Sequence, residues 1–169
     1  MNPALKRIVF RQTTYPKTKT YYTPLTMVEW TVDAGSTKGA SGIHLVKSVD
    51  NYAYRATSLT PNTKYLLLYN VVATDADSTF QMTSWFTGSN IVLGKTVGNN
   101  KSIFTTQATI STNRAQFFLH SSNTDGKYIN FKDIRVIELI PGSQLETDAN
   151  TLTADQLNAK YPFNRINRR

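Results

Sequence analysis

Ser58-Leu59-Thr60-Pro61-Asn62-Thr63-Lys64-Tyr65-Leu66-Leu67-Leu68-Tyr69-Asn70-Val71 is the stretch that decides the fold class. Pro61 presets φ for the second position of a tight turn, and Asn62 accepts the left-handed conformation that often follows. The chain therefore reverses there and enters a strand at Lys64. Period-two alternation then places Tyr65, Leu67, Tyr69 and Val71 on one side and Lys64, Leu66, Leu68 and Asn70 on the other. Both sides are apolar enough for a central strand.

Working outward, similar short runs recur at 43–49, 52–59, 78–86, 91–97, 102–110, 114–121 and 128–140, with a further strand at 27–32. Residues that accept turn geometry separate them, including Gly98-Asn99-Asn100 and Asn123-Thr124-Asp125-Gly126, whose Asp-Gly pair is a strong hairpin signal. Eight or nine short strands with no helical period between them predict an all-β antiparallel sandwich or barrel. Residues 33–42 read as a loop by composition. Three segments emerge: a basic N-terminal arm over 1–28, the β body over 29–140, and a C-terminal segment over 141–169. Pro16 and Pro24 break the arm into an extended run with one edge strand. In the last segment Thr151 or Thr153 caps a short helix over 154–160, stopped before Pro162, which turns Leu152, Leu157 and Tyr161 toward the sandwich.

A chain of 169 residues fits one domain that needs neither metal nor disulfide to fold. It contains no cysteine, which removes disulfides, thiolate zinc sites and thiol catalysis together. No apolar run approaches the ~20 residues of a membrane span, and the N-terminal residues lack the apolar core of a secretion signal, so a protein that is neither membrane-bound nor exported by that route is expected. The net charge of +8 sits at the ends. Residues 1–28 hold Lys6, Arg7, Arg11, Lys17 and Lys19 with no acid, and 160–169 hold Lys160, Arg165, Arg168 and Arg169 with no acid. Between them ten basic residues face eleven acidic ones. Basic ends of this kind contact an acidic neighbouring subunit, nucleic acid or solvent alone. Nucleic acid is the least expected of these, because no aromatic-interleaved basic strand or recognition helix accompanies the charge.

Enzymatic chemistry has little to work with. His44 and His120 fall on different predicted strands with no strained serine turn near them, most acids lie in turns, and no phosphate loop is present. A binding face is better supported. On 78–86, Gln81, Thr83 and Trp85 share a face opposite Phe80, Met82 and Phe86; on 114–121, Gln116, Phe118 and His120 oppose Ala115, Phe117 and Leu119. If these strands are neighbours, Gln81, Trp85, Gln116 and His120 line one surface. There an indole can stack on the C–H face of a sugar while amides bond its hydroxyls. Trp85 is the best single candidate, the competing reading being that it packs under the arm or against a neighbouring subunit. Trp30 reads as core.

The entry L-x-P-N-T-x-Y, here Leu59 to Tyr65, and the closing Y-I-x-F-x-D-I-R-V, here Tyr128 to Val136, resemble the carbohydrate-binding-module-like jelly rolls of glycan-binding modules and bacteriophage virion proteins. Phage copies are often followed by a segment like Thr153-Ala154-Asp155-Gln156-Leu157 to Tyr161-Pro162. The resemblance covers residues 40–162. It implies a jelly-roll β-sandwich of eight to ten strands with an extended N-terminal arm and a short C-terminal helix. It also implies a non-enzymatic virion component of tail, baseplate, fibre or head decoration, assembled in the bacterial cytoplasm. Such a component joins like or neighbouring subunits through its termini (Lys6, Arg7, Arg11, Arg165, Arg168 and Arg169) and contacts host-surface glycan. The alternative is a stand-alone glycan-binding module. Many relatives hold a structural calcium with paired carboxylates on the closing strand. This chain offers Asp133 alone, preceded by Lys132, against an ion that prefers six to eight oxygens.

Overall fold

The structure is a computed structural model and describes residues 18–20 (backbone alone), 29–49, 51–57, 59–83, 87–110, 112 and 114–162. Its strands are β1 (Thr18–Thr20), β2 (Thr31–Val32), β3 (Thr37–Gly39), β4 (Gly42–Val46), β5 (Tyr52–Ala56), β6 (Lys64–Thr74), β7 (Phe80–Met82), β8 (Ile91–Leu93), β9 (Gly98–Thr105), β10 (Arg114–Leu119) and β11 (Tyr128–Glu138). Helices α1 (Gln144–Thr151) and α2 (Ala154–Lys160) follow. All strand pairings are antiparallel. One sheet runs β3-β4-β11-β6-β9, with β1 added beside β11; the other runs β2-β5-β10-β7-β8. The all-β sandwich is thus as expected. Its eleven described strands are the nine runs named above together with β1, in the arm, and the hairpin strand β3.

The two sheets enclose one core. Phe80, Phe117 and Phe131 are fully buried between them, with ring centroids 5.1 to 6.0 Å apart, and Trp30 lies 5.8 Å from Phe117. Residues Tyr65, Leu67, Tyr69 and Val71 of β6 enter this core. Leu66 and Leu68 enter a second one with Ile137, Leu139, Leu145, Ala149, Ala154 and Leu157. That second core lies on the outer face of the six-stranded sheet, roofed by the two helices. Both faces of β6 are therefore buried, as its alternation predicts. Leu152 and Tyr161 pack on the helical layer too.

Cations rising from the sheet fasten the helices. The last carbonyls of a helix lack partners within it and carry partial negative charge. Lys101 of β9 gives its Nζ to the carbonyls of Ala149 and Leu152, at 2.8 and 2.5 Å, at the end of α1. Arg135 of β11 gives Nη1 to the Tyr161 carbonyl at 2.6 Å and Nη2 to Asn158 at the end of α2. Arg135 reaches that face because of a bulge. Lys132 pairs with Asn70 and Arg135 with Leu68, so β11 spends one extra residue there. Asp133 stands at φ +54, a left-handed conformation that Asp tolerates better than most residues. Before the bulge Ile129 and Phe131 point to the inner core; after it Ile134 and Val136 do, and Arg135 and Ile137 turn outward. Strict alternation would have put the guanidinium of Arg135 among the phenylalanines.

Four differences from the sequence reading have identifiable causes. The Asp125-Gly126 turn joins β10 and β11, which lie in different sheets, so it is a crossover and not a hairpin. Gly98-Asn99-Asn100 is the start of β9, because the Asn100 side chain satisfies the carbonyls of Thr96 and Gly98 and Asn99 bridges Asn70 to Asp155. The stretch read as a loop over 33–42 contains β3, which pairs with β4. Finally, α1 precedes the expected helix. Its start is written in Ser143-Gly142 chemistry: Ser143 Oγ accepts from Glu146 N at 3.2 Å, and Glu146 Oε2 accepts from Gly142 N at 2.9 Å.

Asp148 ties the two helices together, accepting from Lys160 Nζ at 2.6 Å, Tyr161 Oη at 2.5 Å and Gln144 Nε2 at 3.0 Å. These hydrogen bonds, that from Lys160 foremost, lower its pKa to about 2. A carboxylate held below its unfolded value near 3.9 stabilises the fold fully above about pH 4, and that contribution is lost as pH falls toward 2. Thermal melts between about pH 5 and 2 should show a falling midpoint. Asp148→Asn should cost on the order of 2 kcal/mol at neutral pH and flatten part of the acid dependence. An unchanged acid limb in that variant would refute the link.

Candidate functional site

The outer faces of the two sheets differ. Helices cover much of the six-stranded one, while the five-stranded one turns Tyr52 and Tyr54 of β5, Arg114, Gln116 and Phe118 of β10, Gln81 of β7 and Val92 of β8 away from the core. Register fixes their neighbours: Gln116 is opposite Tyr54, Phe118 is opposite Tyr52 on one side and Gln81 on the other, and Gln81 is opposite Val92. The alternation that drives Ala115, Phe117 and Leu119 inward turns their intervening partners out. Tyr52 and Tyr54 stand 5.6 Å apart, and the Arg114 guanidinium lies 4.6 Å from the centroid of the Tyr54 ring. Tyr52, Tyr54, Gln116 and Phe118 are half-buried, and Val92 is 62% exposed.

Of the four residues chosen from sequence, Gln81 and Gln116 do come together on this face, on strands that are neighbours. Gln81 is the more enclosed at 9% exposure, and its Oε1 accepts from Asn90 Nδ2 at 3.5 Å. His120 follows the last residue of β10, at the end of the sheet. There its Nδ1 pairs with Ser122 Oγ at 2.7 Å, and Ser122 Oγ meets Ser78 Oγ at 2.5 Å. Trp85 lies outside the described residues, as do Lys6, Arg7, Arg11, Arg165, Arg168 and Arg169. Sequence reasoning passed over Tyr52 and Tyr54, whose signal was a Tyr-x-Tyr spacing that puts both rings on one side of a strand. His44, on the opposite sheet, pairs Nδ1 with Asn130 Oδ1, and its ring lies tilted against Tyr128 with centroids 5.1 Å apart.

Asp133 serves the bulge. Its charge favours the protonated form of Arg135 against the burial that lowers that group's pKa. Among the described residues no group of three or more Asp, Glu or His could hold a metal ion. A calcium set with several acids does not assemble around Asp133.

Compared with models of known protein families the chain matches none, and no curated protein matches it.

On the outer face the Gln116 Oε1 is buried and has no hydrogen-bond partner among the described residues, a state that costs about 1–3 kcal/mol where it occurs. Gln116→Met keeps the length and removes the orphan acceptor. Its stability should be unchanged or higher by up to about 1 kcal/mol, roughly 2–4 °C in melting temperature for a chain of this size. A fall of several degrees would contradict this account of the side chain.

Proposed function

We propose that this chain is a non-enzymatic bacteriophage virion protein, a tail, baseplate, fibre or decoration subunit, whose sandwich is a jelly roll of the carbohydrate-binding-module-like kind. It binds host-surface glycan with the outer face of its five-stranded sheet. Supporting the jelly-roll reading, counting β4 to β11 as one to eight gives sheet orders 1-8-3-6 and 2-7-4-5, the order of two interleaved Greek keys. Supporting the relation to phage copies, the closing strand and the following segment are physically one device: Arg135 of the motif fastens Tyr161 and Asn158 of the segment. A family carrying one would be expected to carry both.

The observation that carries the glycan reading is the asymmetry of the faces. Covering a sheet with apolar residues and helices is what stability asks for, and the six-stranded sheet does it. The five-stranded sheet instead turns out three aromatic rings interleaved with two amides and a guanidinium. Rings offer the flat apolar contact and amides the paired donor and acceptor that a pyranose requires. Gln116 keeps a polar atom where an apolar one would be more stable, as binding residues commonly do.

A glycan array probed with the labelled protein should retain bacterial surface oligosaccharides. Tyr54→Ala and Trp85→Ala should each weaken retention at least about tenfold, near 1.4 kcal/mol, with melting temperatures within a few degrees of the parent. A blank array, or retention indifferent to both substitutions, would remove this reading.

A further inference from the structure

The outer backbone groups of a strand that ends a sheet recruit further strands unless something guards them. Most end strands of this molecule are guarded by brevity: β1, β3 and β8 have three residues each and β2 has two. β9 is different. It runs eight residues, Gly98–Thr105, pairs with β6 along one side without a register shift, and has no described strand beyond it. It contains no proline, and its one charge is not displayed at the edge, since the Lys101 ammonium is drawn to the carbonyls of Ala149 and Leu152. Helix α2 rests on the face of this strand, where Asn99 Nδ2 donates to Asp155 Oδ1 at 2.6 Å. It leaves the edge open: Asn99 and Thr105 are exposed, and Lys101 and Ile103 are half-buried.

The ladder fixes which groups point out. Thr106 N donates to the Thr63 carbonyl at 3.0 Å, and the Lys64 carbonyl turns away from β9 to accept from Leu139 N at 2.9 Å. Thr105, opposite Lys64, therefore directs its N–H and C=O outward, and alternation extends this to Ile103, Lys101 and Asn99. We infer that this edge pairs antiparallel with the same edge of a second copy, about a two-fold axis at Ser102. That register sets Asn99 against Thr105 of the second copy and Lys101 against Ile103. All four outward residues then find a partner, and the four pairs, at two bonds each, close eight hydrogen bonds. An axis at Lys101 or at Ile103 leaves one of the four unmatched, and the former also sets two lysines face to face. The edge is thus its own complement in length, register and charge, which selects a second copy over a foreign strand. This goes beyond the glycan reading and stands without it, since β9 belongs to the other sheet.

A ladder of this length is a small interface, so a dimer with Kd of about 1–100 μM is expected. Sedimentation of the full chain from about 1 to 500 μM should show the weight-average mass rising toward that of a dimer. Thr105→Pro removes one outward N–H and sets a ring in the path of the second copy, while the bonds from β9 to β6 stay intact. It should weaken association at least about tenfold, with a melting temperature within a few degrees of the parent. Because the chain has no cysteine, Ser102→Cys reads the register directly. Across the proposed axis the two Ser102 positions form a non-hydrogen-bonded pair, whose Cα atoms lie about 4.5 Å apart, within disulfide range. Mild oxidation should convert this variant to a covalent dimer at least about tenfold faster than Val92→Cys, which is exposed at the edge of the other sheet. A monomer at every concentration overturns the proposal and leaves the edge to a strand of another protein. Association that Thr105→Pro leaves unchanged, or equal oxidation rates for the two cysteine variants, overturns it as well by moving the contact elsewhere on the molecule.

Discussion

A strand that is apolar on both faces cannot sit at the surface of a two-layer protein, and β6 is such a strand. Its inner side, Tyr65, Leu67, Tyr69 and Val71, is satisfied by the opposite sheet. Its outer side, Leu66 and Leu68, needs a third layer. The two C-terminal helices are that layer, yet at eight and seven residues they are too short to be stable on their own. They persist because Leu145, Ala149, Ala154 and Leu157 bury against the sheet, because Ser143 and Thr153 cap their starts, and because Lys101 and Arg135 bind their ends. The bulge at Asp133 follows from this demand, since only an extra residue in β11 can turn Arg135 outward while keeping Phe131 and Val136 inward.

Because the helical roof occupies one side, the outer face of the five-stranded sheet, which no helix covers among the described residues, is the one we propose for recognition. Rings and amides that do little for the core are displayed there on a rigid support. Binding residues carried on strands are held more tightly than residues carried on loops.

How far the sequence discloses this depends on how local the physics is. The bounds of β6 and α2 were legible because a Pro-Asn turn, a strict alternation and a capped helix before proline are all local signals. Asn62 indeed takes the left-handed conformation, at φ +51. The facing of Gln81 and Gln116 was legible up to the pairing of their strands, which no local signal states. The bulge was not, because a one-residue slip leaves no mark in composition. Helix α1 was legible in principle through Ser143-x-x-Glu146, but its outer residues are polar and it borrows its terminal cation, Lys101, from β9, 48 and 51 positions before the carbonyls that cation binds. The left-handed backbone angle of Asp133, +54, belongs to the same bulge and was illegible for the same reason.

Amide hydrogen exchange on the intact protein tests the central claim most directly. If β6 is buried on both faces under fastened helices, the amides of Leu66 to Leu68 should be at least as slow as that of Phe117 on β10, whose sheet carries no helix on its outer face among the described residues, and should approach the limit set by global unfolding. Exchange at Leu67 more than about tenfold faster than at Phe117, near 1.4 kcal/mol less protected, would mean that the helical roof does not hold, and the account built on it would fail.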